Sequence, residues 1–362
     1  MKGITMKKVL AFVLALTMAL SLAACGGSSS SGSTSDSGAA SDDGSADKVY
    51  KLKVSLEPSE SNFMAENWRE WAQAVAEKSG GRLEFQFYYD NTLVDPNAQY
   101  QQLVAGIADI CDVHRYASDG FVISENWKLL TAGIPADQQV SLSYQFLEEF
   151  PQVADEFKDV KILAHTYSGG GAYDLLTVKK AVNSPADLAG MTIWCEADWN
   201  DFILACGATP VNTPFSEVYS SLQKNMYDGL MIAAETLQSC NFAEVCKYIT
   251  MIDFCYMSGP GHLMNMNTWN SLPEDLQAII TDPELIAKLE AANHDDGFNL
   301  EESSIAWAQE KYGTTVVEPT DEARQQFLDL LTQAKGTLAK KLDDQGLPGT
   351  EMVATVAEWS AQ

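Results

Sequence analysis

The residues of this 362-residue chain that could do chemistry are scattered rather than clustered. Its four histidines, His114, His165, His262 and His294, lie far apart, and no Gly-x-Ser-x-Gly or His-Glu-x-x-His sets a nucleophile or a metal beside a base. A hydrolase is therefore a remote reading, and neither a cofactor nor a metal is expected. Ser168-Gly169-Gly170-Gly171 lacks the Lys-Ser/Thr of a phosphate-binding loop and the Gly-x-Gly-x-x-Gly spacing, so it reads as a flexible crossover. His114-Arg115-Tyr116 ends an apolar stretch, Asp109 to Val113, that fits a buried strand. An arginine where a strand opens onto a cleft can grip a carboxylate or sulfonate through two hydrogen bonds; it can equally pair with Asp112 or Asp119. Glu196, Asp198 and Trp199 follow one another closely, either as groups facing a ligand or as solvated loop charges.

Positioning such groups requires a scaffold, and the periodicity supplies one. Tyr50, Leu52, Val54 and Leu56 alternate with polar residues as in a half-buried strand, and Met64, Trp68, Trp71 and Val75 recur at helical spacing until Gly80-Gly81. Leu83 to Tyr88 alternates again, Gln99 to Gly106 is helical, and Asp109 to Val113 is a third strand. The same grammar restarts later: strands over Met191 to Cys195, Thr209 to Val211 and Gly229 to Ala233, with helices over Trp199 to Cys206 and Phe215 to Lys224. Pro283 to Tyr312 carries helical spacing in both halves, with Gly297 interrupting it. The expected class is α/β, two doubly wound parallel lobes around a central cleft, where ligands of open α/β sheets bind. More than 300 residues at 46% hydrophobic content also exceed one core.

At the N-terminus, Lys7-Lys8 precede an apolar run from Val9 to Leu20, too short for a membrane span and placed like a secretory signal. Leu22-Ala23-Ala24-Cys25 follows, a pattern that resembles a bacterial lipobox and implies lipid on Cys25 after cleavage. Gly26 to Asp47 is nearly all Gly, Ser, Ala and Asp, with no apolar surface to bury, so a solvated tether is expected. Fifty acidic residues against 23 basic ones give a formal charge of −27, which makes nucleic acid and anionic lipid poor partners. Cys111, Cys195, Cys206, Cys240, Cys246 and Cys255 form no Cys-x-x-Cys pair; disulfides and buried free thiols both remain open.

Pro214-Phe215-Ser216-Glu217-Val218-Tyr219, followed by Leu222-Gln223 and Asp228-Gly229, resembles the solute-binding proteins of TRAP transporters, the DctP type. Other segments agree in order: Ser79-Gly80-Gly81-Arg82-Leu83, Ser184-Pro185-Ala186-Asp187-Leu188-Ala189-Gly190-Met191, Phe242 to Tyr248, and Trp269-Asn270-Ser271-Leu272-Pro273. The resemblance implies two interleaved lobes that close on a small organic solute by hinge motion. With the signal at 1–24 and the tether at 25–47 read from the N-terminal residues, the resemblance places lobe one at 48–170 and 258–297, and lobe two at 171–257 and 298–362. It implies delivery to a small and a large TRAP membrane subunit driven by an ion gradient, an extracytoplasmic location, and a monomer that is not an enzyme.

Where carboxylate binders of that family place two arginines and an asparagine, this chain has Trp194, Tyr173 and Ile232. The resemblance therefore implies ligand contacts at Tyr173, Trp194 and Ile232; the residues themselves add His114 and Arg115 at a strand end, and Asp174, Glu196 and Asp198 as acids beside those positions. If Arg115 faces the cleft, an organic acid is held with its apolar body between Trp194 and Tyr173. If Asp174, Glu196 or Asp198 point inward, an ammonium-bearing or neutral ligand is favoured. A sensor accessory of the same fold is a further alternative to transport.

Overall fold

Two mixed sheets, each completed by a strand that arrives from the other, organise the computed structural model, which describes residues 48–113, 116, 119–166, 172–257 and 259–361. The signal, the tether with Cys25, the His114-Arg115 pair and the Ser168 to Gly171 crossover lie outside the described residues.

The strands are β1 (Tyr50–Ser55), β2 (Leu83–Tyr88), β3 (Ile110–Asp112), β4 (Val160–Thr166), β5 (Tyr173–Thr177), β6 (Thr192–Trp194), β7 (Thr209–Val211), β8 (Gly229–Ala233), β9 (Tyr248–Phe254), β10 (Gly259–Asn265) and β11 (Thr315–Val317). The helices up to the second sheet are α1 (Phe63–Lys78), α2 (Gln99–Val104), α3 (Val122–Glu125), α4 (Trp127–Thr131), α5 (Gln139–Glu149) and α6 (Pro151–Glu156). Those that follow are α7 (Asn200–Ala205), α8 (Phe215–Gln223), α9 (Thr236–Ser239), α10 (Met266–Ser271), α11 (Glu274–Ile280), α12 (Pro283–Tyr312), α13 (Asp321–Asp343) and α14 (Gly349–Ser360).

The first sheet has the order β2-β1-β3-β10-β4 and the second β11-β9-β5-β8-β6-β7. In the first, β1 pairs in parallel with β2 and β3, as the alternating segments predict, while β10 runs antiparallel to both β3 and β4. In the second, β6 pairs in parallel with β7 and β8, and β5 runs antiparallel to β8 and β9. Each sheet is thus mixed rather than wholly parallel. The chain passes between them three times: from β4 to β5, from β9 to β10, and along α12 toward β11.

Local chemistry sets the helix limits. The Asn62 side chain accepts from the Met64 amide at the start of α1, which packs Trp68, Trp71 and Val75 into the core of the first sheet, and Gly80 and Gly81 leave the helix at φ +65 and +80. Helix α12 runs unbroken through Gly297. The Asp282 carboxylate caps its first turn, Pro283 sits at its first position, and Gly313 ends it at φ +69. An interior glycine costs about 1 kcal/mol against alanine. Burial at both ends outweighs that: Ile286 and Leu289 join the core of the first sheet, and Ala308 joins that of the second. A third and larger cluster joins both sheets to α13 and α14, with α13 packed on α7 and α14 on α4.

The six cysteines among the described residues are free, four of them buried. Burial pushes the thiols of Cys195, Cys206 and Cys246 up to about 12, so these residues act as small apolar fillers.

Gly229 starts β8 opposite Thr177, where an added Cβ would lie 2.4 Å from the Leu176 carbonyl oxygen and 2.9 Å from Thr177 Cγ2. Gly229→Ala is expected to lower unfolding stability by about 1–3 kcal/mol, read as a reduced urea midpoint. An unchanged midpoint would show that the β5–β8 ladder yields at this point.

Candidate functional site

Side chains alternate along β5, β6 and β8, and their clusters divide the second sheet cleanly. Tyr173, Leu175, Ile193, Met231 and Ala233 share the face packed into the large cluster. Leu176, Trp194, Leu230 and Ile232 share the other. Asp174, paired with Ile232 across the ladder, belongs to this second face. Tyr173 and Trp194 therefore point to opposite sides of the sheet, so the structure does not bring them together around one ligand. Trp194 donates from Nε1 to the Thr213 carbonyl at 3.0 Å and packs on Phe215, with ring centres 5.6 Å apart.

On the Tyr173 face a polar group assembles at one edge. Tyr173 begins β5 opposite Ala233, the last residue of β8. Glu196 and Asp198 follow β6, and Tyr256 follows β9. All four thus lie at the C-terminal edge of parallel strands β6, β8 and β9, the edge at which α/β sheets present ligands. The Tyr173 hydroxyl donates to Glu196 Oε2 at 2.5 Å, and Lys128 Nζ donates to the same oxygen. The Lys128 ammonium also stands 5.4 Å from the centre of the Tyr173 ring. Trp199 and Tyr256 flank that ring at 5.7 and 5.6 Å. Lys128 belongs to α4, downstream of β3 in the first sheet, whereas Glu196 follows β6 in the second. One ion pair therefore joins the two halves.

The electrostatics follow from burial. Burial works against the Lys128 charge, but Glu196 and Asp198 outweigh it, and the ammonium pKa is raised. Burial lifts Asp198 to about 7, against the pull of Lys128 and with the help of Glu196; its Oδ1 has no hydrogen-bond partner. Burial and the Glu196 charge hold the Tyr173 phenol well above its ordinary value.

Of the residues singled out in the sequence, the structure gathers Tyr173, Glu196 and Asp198. It sets Trp194, Ile232 and Asp174 on the reverse face. Lys128 went unnoticed in the sequence, although a lone lysine inside the apolar run Trp127 to Leu130 was the available sign. A cavity of about 760 Å³ lined by Tyr100, Phe121, Glu156 and Gln345 lies elsewhere and shares no residue with this group.

The family model described as bacterial extracellular solute-binding protein, family 7 (DctP) matches residues 54–341. The chain belongs to this family. It is 26% identical over 282 residues to a solute-binding protein of Albidiferax ferrireducens, covering 75% of this chain and 80% of that one. A TRAP periplasmic solute-binding protein of Desulfovibrio salexigens, solved in an open form, is similar at 26% identity with a TM-score of 0.71 over 86% of this chain and 95% of its own. A marine metagenome TRAP solute-binding protein specific for aromatic acids, solved with 3-hydroxybenzoate, shares the fold at 21% identity and a TM-score of 0.74, over 87% of this chain and 98% of its own. The two sheets are accordingly the two lobes of a TRAP solute-binding protein, an extracytoplasmic transport component of a family that works with TRAP membrane transporters.

The raised carboxyls make stability depend on pH. Asp198 titrates at about 7 in the folded state against 3.8 in an unconstrained chain, so the folded protein holds a proton that the unfolded chain releases. That contribution is complete below the unfolded value and is lost as pH rises through 7. Glu301, lifted by burial to about 7, has the same sign, while the lowered Asp187, Asp275 and Asp282 titrate below this window. The melting temperature of the ligand-free protein is expected to fall from pH 4.5 to 7, and to fall less steeply in Asp198→Asn. Parallel profiles for the two proteins would remove Asp198 from the account.

Proposed function

We propose that this chain is a lipid-anchored, monomeric receptor that captures a small organic acid between its lobes and hands it unchanged to a TRAP-type membrane transporter. The observation that carries the ligand class is the convergence of Lys128 Nζ and the Tyr173 hydroxyl on one carboxylate oxygen, that of Glu196. A cation and a phenol already arranged around a carboxylate can receive a second one by exchange, and charge-assisted hydrogen bonds of this kind are the strong ones. The aromatic faces of Tyr173, Trp199 and Tyr256 suit an apolar or aromatic body. Arg115, which follows β3 in sequence, would supply a second cation to an acid if it faces the cleft. The aromatic acid held by the marine metagenome relative is in keeping with this ligand class.

A second reading has its own support. Glu196 and Asp198 place two carboxyls against the single ammonium of Lys128, which suits an amine seated on the same rings. The absence of chemistry on the ligand is common to both readings, and for either one the lipobox at Cys25 supplies the anchor.

A thermal-shift screen of acids, amines, polyols and aromatics separates them. Lys128→Gln is expected to weaken an acid ligand about tenfold to a hundredfold, the equivalent of ~1.5–3 kcal/mol for a charged hydrogen bond. An amine that survives Lys128→Gln and is lost in Glu196→Gln establishes the second reading. Ligand binding that ignores both substitutions, together with an unaltered Lys128→Gln fold by circular dichroism, refutes the site.

Capture between lobes also requires closure, because contacts made by both lobes exist only in the closed state. The radius of gyration in solution scattering should shrink at saturating ligand. Cys25→Ala should leave the membrane fraction, and its retention there after signal removal would rule out the anchor.

A further inference from the structure

On the reverse face of the second sheet, three carboxylates meet where the three chain crossings converge. Asp174 is the second residue of β5, just after the crossing from β4. Asp253 is the last residue but one of β9, just before the crossing to β10. Glu301 lies on α12, the third crossing. One oxygen of each lies within 4.8 Å of the others. That is the greatest separation two oxygens can have on a coordination sphere of about 2.4 Å radius, the calcium distance.

The backbone is bent to make this arrangement. The β5–β9 pairing slips between Tyr173 and Leu175, so that extra residues of β9 bulge opposite Asp174. Asp253 takes φ +54 in that bulge. Asp174 Oδ1 accepts from the amides of Ile252 and Asp253, at 2.9 and 3.1 Å. Its Oδ2 is buried and has no hydrogen-bond partner. Glu301 Oε2 accepts from the Ala172 amide at 2.9 Å, and Asp253 Oδ2 meets Arg324 at 2.7 Å. Asp174 and Glu301 are thus each held through one oxygen by backbone amides, and Asp253 by the Arg324 guanidinium. A fully buried carboxylate oxygen with nothing to accept from is costly, and three negative charges in one place are costlier. Burial accordingly lifts the Asp174 and Glu301 carboxyls, each raised further by its acidic neighbours.

We propose that Asp174, Asp253 and Glu301 bind a hard divalent cation of the calcium class and so fasten the three crossings to one another. An all-oxygen donor set selects hard over soft metals. Two positive charges with that of Arg324 balance the three carboxylates. Asp253, half exposed, opens the site to solvent for entry. Because Asp174 and Tyr173 point to opposite faces, the cation site is separate from the Lys128 group, and failure of either reading leaves the other standing.

The test is calorimetric titration of the full chain, purified in detergent and stripped with chelator, using Ca²⁺ and then Mg²⁺. One Ca²⁺ per chain is expected, bound more tightly than Mg²⁺, with a rise in melting temperature. Asp253→Asn, at an exposed position that spares the fold, should weaken Ca²⁺ at least about tenfold, as should Glu301→Gln. No saturable Ca²⁺ heat up to about 10 mM, beyond the range of weak extracellular calcium sites, would overturn the proposal. So would Ca²⁺ binding that Asp253→Asn leaves intact, since the ion would then sit elsewhere.

Discussion

The hydrogen-bond ladders of β5 and β10 hold the two lobes in one molecule, because each strand completes the sheet on the far side of its own crossing. Strand β10 lies between β3 and β4, and β5 between β8 and β9, each antiparallel to both neighbours. A central strand with partners on both sides cannot leave its sheet without breaking two ladders. Each sheet is thereby locked as a unit on both sides of its crossing strand. The buried pair of His262 and Asp112, at 3.0 Å, pins β10 to β3 from the side-chain direction as well.

That arrangement explains what the chain discloses and what it hides. Segments with one wet face, β1 and α1 above all, show their period plainly, because half of each is polar. The strands that cross do not. All five residues of β5 and all but the first of β10 are buried, so apolar and polar positions no longer alternate and nothing marks direction or partner. The long helix α12 is readable at both ends through Pro283 and Gly313, while its passage across Gly297 depends on packing against two different sheets.

The site was legible only in part, for a reason of parity. Resemblance to a family aligns Tyr173 and Trp194 one at a time, each to a ligand position. Whether two residues on separate strands face the same way depends on the register of the strand between them. Tyr173 pairs with Ala233 and Trp194 with Leu230, three residues apart on β8, an odd offset that turns them to opposite faces. Glu196 and Asp198 were visible as charges, and the lysine that meets them was not, since its partner is 68 residues away in sequence.

The interleaving also bears on when the molecule can fold. The contact between His262 and Asp112 spans 150 residues, and the first sheet lacks its central antiparallel strand until residues 259–265 have been made. Long-range pairings of this kind delay folding. A protein that is threaded through a membrane as an open chain benefits when its fold closes late. Postponing the closing ladder until most of the polypeptide exists lengthens the interval in which a translocase can thread it.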